Sequence, residues 1–503
     1  MRGQGERAGT LLVAGTTSDA GKTVVTTALC RALRRRGCRV APFKAQNMSN
    51  NSMVTADGAE IGRAQWVQAV AAGAEPEVAM NPVLLKPGSD LRSHVVVMGR
   101  PYGTLDASDF LGGRGALARA AFEAFDDLRG RYDVVVCEGA GSPAEINLRR
   151  FDYVNMALAR HGRTPTILVG DIDRGGVFAS MYGTLALLEP ADQALLCGFV
   201  VNKFRGDVGL LRPGLDSLEE LTGRPVLGVL PWQQGLWLDS EDALALESRP
   251  RPDFAAPGER LRVAVVVLPR ISNFTDVDAL CLEPGLDVEF VRDARAMGSP
   301  DVVVLPGTRA TLDDLAWLRQ RGLADAITAH AARGGVVLGI CGGFQMLGRE
   351  VRDPDGVEGP AGARADGLGL LDVRTVFGPD KVLRLPTGEA LDAPADGYEI
   401  HHGRVTLGSD EAFLGGARRG SVFGTMWHGS LEGDAFRRAW LGEVASTLGL
   451  DVALGEVSFA AARERRIDDL ADAVEEHLDL DAVVRLVEDG SPANLPVVKG
   501  SLA

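Results

Sequence analysis

Cysteine is scarce: 503 residues contain six, and no two form a CxxC pair. That excludes a disulfide scaffold and a zinc ribbon, and it fits a reducing, cytoplasmic compartment. Basic charge is in deficit, with 53 Lys+Arg against 68 Asp+Glu and a formal net charge of −15. An acidic surface repels a polyphosphate backbone, so no nucleic-acid partner is expected. Apolar runs are short, and none approaches the roughly 18 residues that span a bilayer, so no membrane partner is expected either. The opening MRGQGERAGT is polar and leads straight into LLVAG, without the length or flanks of a signal peptide. Aromatic residues make up only 6%. Glycine is plentiful at 62 residues; with 46% hydrophobic and 24% charged residues, this is an α/β composition with many tight βα turns.

At roughly 150 residues per domain, the length suits three domains or two large ones. Short β-branched runs at 11–14, 39–43, 133–137, 166–169, 198–201 and 226–230 alternate with helical stretches. Continuous apolar strands of this kind predict a parallel sheet covered on both faces. The stretch ESRPRPDFAAPGER at 247–260 breaks the rhythm with proline and charge and reads as a linker. Strands resume at 262–268, 302–305 and 336–338. A β-rich stretch follows, ending at 398–401 and 422–427, and the chain turns helical beyond about 435. A last helical piece is expected near 467–487 and a loosely ordered tail at 489–503. The expected organisation is residues 1–246, a linker at 247–260, a second α/β domain at 261–450 and a helical extension with tail at 451–503.

Two chemical patterns stand out. In the first, LLVA runs into Gly15-Thr16-Thr17-Ser18-Asp19-Ala20-Gly21-Lys22-Thr23 and then an amphipathic helix. Gly15, Thr16 and Gly21 lie where backbone N–H groups approach phosphate oxygens. Lys22 is placed to reach the β/γ phosphates and Thr23 to hold Mg²⁺. Five residues separate the two glycines where four are usual. Glu138 ends the strand at 133–137, where a carboxylate suits a magnesium ligand. Lys44 ends another strand and can neutralise a transferring phosphoryl group. Asn202 closes the strand at 198–201, a place from which it could hydrogen-bond a nucleotide base. The basic run at 34–36 is expected to serve a helix C-terminus, not a binding patch.

The second pattern is the strand, sharp turn and helix of GVVLGICGGFQ at 335–345. It has the layout of a nucleophile elbow with Cys341 in place of serine. The flanking glycines allow the turn, and backbone N–H groups at Gly342 and in the Gly307 turn can face an oxyanion. His428, at a strand end, is the available base. His401 and His402 have no third ligand at a useful spacing and read as structural or substrate-contacting residues.

Taken together, the chain resembles the cobyric acid synthase family, glutamine-dependent amidotransferases of cobalamin biosynthesis. The marks are KAQNMSNN at 44–51, MVTADGAEIGRAQ at 53–65, EGAGS at 138–142, DIDRGG at 171–176, VNKFR at 201–205, YEIHHG at 398–403 and GTMWHG at 424–429. The first half is similar to dethiobiotin synthetase, which shares the longer loop spacing, and the second to class I glutamine amidotransferases. The resemblance implies a P-loop NTPase-like parallel-sheet domain followed by a class I amidotransferase-like α/β domain. It implies ATP and Mg²⁺ as cofactors and L-glutamine as nitrogen donor. The substrate implied is a corrinoid, adenosylcobyrinic acid a,c-diamide, with four carboxylates amidated; an oligomer is allowed. By motif position Cys341 is the glutaminase nucleophile and His428 its base. Gln345 falls where glutamine is contacted, Lys22, Thr23 and Glu138 at nucleotide and metal positions, and Lys44 at the activating lysine. Class I enzymes place a glutamate two residues after the histidine, where this chain has Ser430. Glu399 and Glu432 are therefore candidates to orient His428. Two alternatives share these residues: an a,c-diamide synthase or other glutamine-dependent ligase, and a nucleotide-switch protein with an inactive glutaminase half. The segment at 46–51 argues against the first, the Cys341 and His428 pair against the second.

Overall fold

The computed structural model describes residues 8–87, 92–106, 113–233, 239 and 259–499. The opening residues 1–7 and positions 247–258 of the expected linker lie outside the described residues.

The first half is built on six parallel strands in the order Val226–Pro231, Leu196–Phe204, Thr166–Asp171, Gly9–Gly15, Val134–Glu138 and Val40–Phe43. Each grew from one of the short apolar runs. Gly9–Gly15 and Val134–Glu138 are buried along their whole length, as strands covered on both faces must be. Their carboxyl ends open onto one edge, the usual place for a ligand crevice in such a sheet. The helix Lys22–Arg35 starts there.

Beyond Val40–Phe43 the chain leaves this sheet. It forms a smaller one from Gln46–Met48, Val83–Pro87, Arg92–Val97 and Arg100–Asp106, plus the hairpin Ser52–Val54 with Glu60–Gly62 and the helix Arg63–Ala72. No expectation covered this insertion. Three of its strands are three residues long, too short for a period-2 pattern to emerge.

The second half carries a seven-stranded sheet in the order Leu286–Val291, Leu261–Val266, Val302–Leu305, Val336–Ile340, Val422–Thr425, Gly416–Arg419 and Glu411–Phe413. The first five strands are parallel and the last two antiparallel. Beside it lies a four-stranded sheet that includes Val373–Arg384 and Glu399–Leu407.

The end of the chain departs from the expectation in two ways. The helical piece near 467–487 is two helices, Phe459–His477 and Leu480–Asp489. Between them the Asp479 backbone N–H donates to Leu227 O at 2.7 Å, and the Asp479 carboxylate caps Ala482 N at 2.8 Å. Both helices pack on the first sheet, not the second: Ile467, Leu470, Val474, Val483 and Val487 share a core with Leu11, Val13, Leu29 and Val136. The basic run meets this layer as well. Arg35 pairs with Asp468 at 2.9 Å and Asp472 at 2.5 Å, and Arg36 with Asp481 at 2.7 Å. The tail is not loose up to residue 499. Val498 N donates to Gln193 Oε1 at 2.8 Å, Gln193 Nε2 returns a bond to Val498 O at 3.0 Å, and Arg224 reaches Pro496 O at 2.6 Å.

Candidate active site

The loop at 15–23 closes over its own lysine. Lys22 is buried, and its Nζ donates to Thr17 O at 2.8 Å, Ser18 O at 3.1 Å and Gly141 O at 3.2 Å. Gly21 has φ +96°, and a Cβ there would overlap the Asn202 amide. Asn202 Nδ2 donates to Ala20 O at 2.9 Å, so this side chain braces the loop backbone. Lys203 adds a bond to Asp19 O at 2.8 Å.

Glu138 gathers the neighbouring groups. Its Oε1 accepts from Thr23 Oγ1 at 2.9 Å and Lys44 Nζ at 2.7 Å, and its Oε2 from Gln68 Nε2 at 2.6 Å. Burial alone would raise its carboxyl. The Lys44 ammonium outweighs that, helped by both side-chain hydrogen bonds and by Lys22, and holds it below the usual range. Lys22, Thr23, Lys44 and Glu138 are thus brought together at the carboxyl edge of the first sheet. Gln68, which carries no motif of its own, joins them from the helix Arg63–Ala72.

The second cluster forms where Val336–Ile340 turns into the helix Gly342–Leu347. Cys341 sits in the turn with φ +50° and ψ −108°, a strained backbone for a side-chain-bearing residue. The glycines are demanded by space: a Cβ at Gly342 would stand 2.7 Å from Thr308 Cγ2, and one at Gly343 would overlap the Leu305 carbonyl oxygen. The Gly307 turn is drawn in tightly, since a Cβ at Gly307 would lie 2.8 Å from His428 Cε1. Gln345 is buried, and its Oε1 accepts from Thr311 Oγ1 at 3.3 Å.

His428 is held between two partners. Its Nδ1 lies 2.7 Å from Asp276 Oδ2, and Gly429 N donates to Asp276 Oδ1 at 2.8 Å. The Cys341 side chain acts on the same imidazole. Tyr398 stacks on the ring with centroids 5.3 Å apart. Burial disfavours the imidazolium, but Asp276 and Cys341 overcome it and push His428 up to about 10. Neither glutamate candidate orients the histidine. Glu399 faces Arg384 at 3.4 Å and His401 at 3.9 Å. Glu432 belongs to a buried network between the two halves: it meets Arg63 at 2.7 Å and Arg463 at 2.8 Å, and both arginines also bind Asp239. The orienting carboxylate is Asp276, 152 residues from its histidine along the chain.

The raised His428 value has a stability consequence with a definite sign. The imidazolium contributes fully below the unfolded value of 6.5, and its contribution is lost as pH rises towards about 10. The denaturant midpoint of the wild type is expected to fall across that window. In Asp276→Asn the fall should be much shallower, as denaturation curves at a series of pH values would show.

A thiol elbow with a His–Asp pair on one sheet, and a lysine-bearing phosphate loop with a carboxylate on the other, define a glutamine amidotransferase joined to a nucleotide-binding half. Residues 11–244 match the CobQ/CobB/MinD/ParA nucleotide binding domain, and residues 262–436 match the CobB/CobQ-like glutamine amidotransferase domain. A cobyric acid synthase from Mycolicibacterium gilvum (strain PYR-GCK) is 67% identical over 491 residues, 97% of this chain and 98% of the relative. One from Mycobacterium ulcerans (strain Agy99) is also 67% identical over the same shares. One from Mycobacterium tuberculosis (strain CDC 1551 / Oshkosh) is 66% identical over 493 residues, again 97% and 98%. The chain belongs to the cobyric acid synthase family and is a glutamine-dependent amide ligase. Among the described residues no helix is long and apolar enough to cross a membrane.

Proposed function

We propose that the protein amidates the b, d, e and g side-chain carboxylates of adenosylcobyrinic acid a,c-diamide, giving adenosylcobyric acid with ATP and glutamine. The observation that carries this reading is the pairing of the two clusters on one chain. A carboxylate oxygen is a poor leaving group, so it first attacks the γ-phosphorus of ATP; ADP departs and an acyl phosphate remains. Ammonia then attacks the acyl carbon, phosphate leaves, and the nitrogen loses a proton. Ammonia must arrive unprotonated, because ammonium has no lone pair to attack with.

In this reading Cys341 supplies that ammonia. His428 takes the thiol proton, and the sulfur attacks the glutamine amide carbon. Backbone N–H groups near Gly342 and Gly307 face the developing oxyanion. The C–N bond breaks as His428 returns the proton to nitrogen, leaving a thioester that water hydrolyses to glutamate. Asp276 fixes the tautomer and orientation of His428. Gln345 helps shape the glutamine pocket.

At the other cluster Lys22 and the loop residues Gly15, Thr16 and Gly21 hold the triphosphate, with Asn202 bracing the loop. The adjacent oxygens of Thr23 and Glu138 suit a magnesium ion, which prefers one or two protein oxygens and keeps phosphate and water for the rest. When bound, that ion neutralises phosphate charge. Lys44 faces the transferring phosphoryl group. Lys44→Met should lower synthesis from either glutamine or ammonium by about 100-fold, while glutamine hydrolysis persists; steady-state assays with the two nitrogen donors check this.

The test of the reading is incubation with the corrinoid diamide, ATP and amide-¹⁵N glutamine. Four ¹⁵N amides and four glutamates per corrinoid are expected by mass spectrometry. An unlabelled corrinoid diamide would overturn it, and two labelled amides formed only when the undiamidated cobyrinic acid replaces the diamide would assign the earlier diamide synthase reaction instead.

A further inference from the structure

A cleft of about 260 Å³ lies between the small sheet of the first half and the glutaminase half. None of the reacting groups described above lines it. Its walls include Lys86 and His94 from one side, and Arg309, Glu358, Lys381 and His402 from the other. Lys86 and Lys381 meet on the buried Glu60, Lys86 at 2.7 Å. Arg309 stands 3.6 Å from Glu358, whose other oxygen accepts from Thr311 N at 2.8 Å.

Positive charge is in excess here. Of the charged side chains that line the cleft, Lys86, Arg309 and Lys381 are cationic and only Glu358 is acidic; Glu60 lies behind the two lysines and Asp353 behind Glu358, where it accepts from Glu358 N and Gly359 N. Burial pushes Glu358 up to about 7 against the pull of Arg309. Both imidazoles record the same excess. His94 is driven down to about 3 by burial and then by Arg309, His402 and the two lysines. His402 falls to about 4 by burial and then by Lys381 and Arg309. Burial lowers Lys381 to about 8, with Lys86 and Arg309 adding to it and Glu60 opposing. The His402 N–H is spent on Gly378 O at 3.2 Å, but the His94 imidazole and the lysine and arginine N–H groups remain as donors, and a partly enclosed cationic cleft with donors is a receptor for an anion.

We infer that this cleft binds a carboxylate of one of the two substrates. The inference rests on the proposed reaction, in which both candidate ligands carry carboxylates: the α-carboxylate of glutamine and the peripheral acids of the corrinoid. Covalent topology leaves both routes open. Arg309 lies two residues from Gly307 and adjoins Thr308, which packs on Gly342, whereas Lys86 belongs to the half that carries Lys44.

The experiment uses the full chain with Arg309→Gln, Lys381→Gln and the charge-keeping Arg309→Lys. Two KM values are read separately: that for glutamine in hydrolysis without corrinoid, and that for the corrinoid diamide with ammonium as nitrogen donor. A rise of about 10-fold in one KM, with the other unchanged, supports the site and names the ligand. The unchanged arm also reports an intact fold, and Arg309→Lys should stay within about threefold of wild type. Unmoved KM values in both Gln variants would overturn the inference. So would a fall in kcat alone, or a loss in both arms that Arg309→Lys shares. Wild-type product formation in the same series tests the underlying reaction on its own, so failure of the cleft and failure of the reaction are told apart.

Discussion

Cys341→Ala is expected to abolish glutamine-supported synthesis, by about 10⁵-fold in kcat, while ammonium-supported synthesis stays within about twofold of wild type. The size follows from the role: no other described side chain at the elbow can form the thioester, and His428 alone cannot cleave an amide. The asymmetry follows from the architecture. Cys341 belongs to the seven-stranded sheet, whereas Lys22, Lys44 and Glu138 converge on the six-stranded one. The substitution removes a small thiol that sits in a strained turn, so the fold should tolerate alanine. Paired assays with glutamine and with ammonium chloride at pH 8.5 check the result. Equal loss with both donors would contradict the division of labour.

Asp276→Asn should lower glutamine hydrolysis by about 10³-fold and again spare the ammonium reaction. Asparagine keeps the size of the side chain and can still accept a bond from Gly429 N. It can also donate towards His428 Nδ1, which reverses the tautomer and moves the proton to the nitrogen facing Cys341. It also removes the charge that sustains the imidazolium once the thiol has given up its proton. A pH–rate profile separates these effects from a general loss of fold: the basic limb assigned to His428 should shift to lower pH in the variant.

That aspartate marks the limit of what the sequence disclosed. The strand–loop–helix at 9–35 and the elbow at 335–345 were legible because their chemistry is local: in the first the glycines lie in the one loop that ends at Lys22, and in the second they adjoin Cys341. Glu138 and Lys44 were legible because strand ends in a parallel sheet converge on one edge. Asp276 had no such signature. It sits in the short turn Phe274–Val277, beyond the first strand of the second sheet, and meets His428 only when Leu261–Val266 and Val422–Thr425 take their places in that sheet. Glu399 and Glu432 were nearer in sequence, but both are committed to arginine and histidine partners. The small sheet at 46–106 was hidden for another reason. Its longer strands, Val83–Pro87, Arg92–Val97 and Arg100–Asp106, pair with their sequence neighbours, but Gln46–Met48 and the hairpin Ser52–Val54 with Glu60–Gly62 are very short, and polar residues serve buried networks such as Lys86–Glu60 and Asn47–Gln65 instead of a simple alternation. The destination of the last helices was equally silent: an amphipathic pattern says that a face is covered, not which sheet covers it.

The packing of Phe459–His477 on Lys22–Arg35 shapes how the chain must come into being. Arg31 meets Glu464, 433 positions further along the chain, at 2.6 Å. A ribosome therefore releases the nucleotide-binding half with one flank of its sheet still bare, and that flank stays wet until translation of the glutaminase half is over. Cutting the gene between the two halves would yield a first fragment with an exposed greasy face and a second fragment trailing the cover meant for it. Expression of the halves as separate polypeptides should succeed only when both are made together.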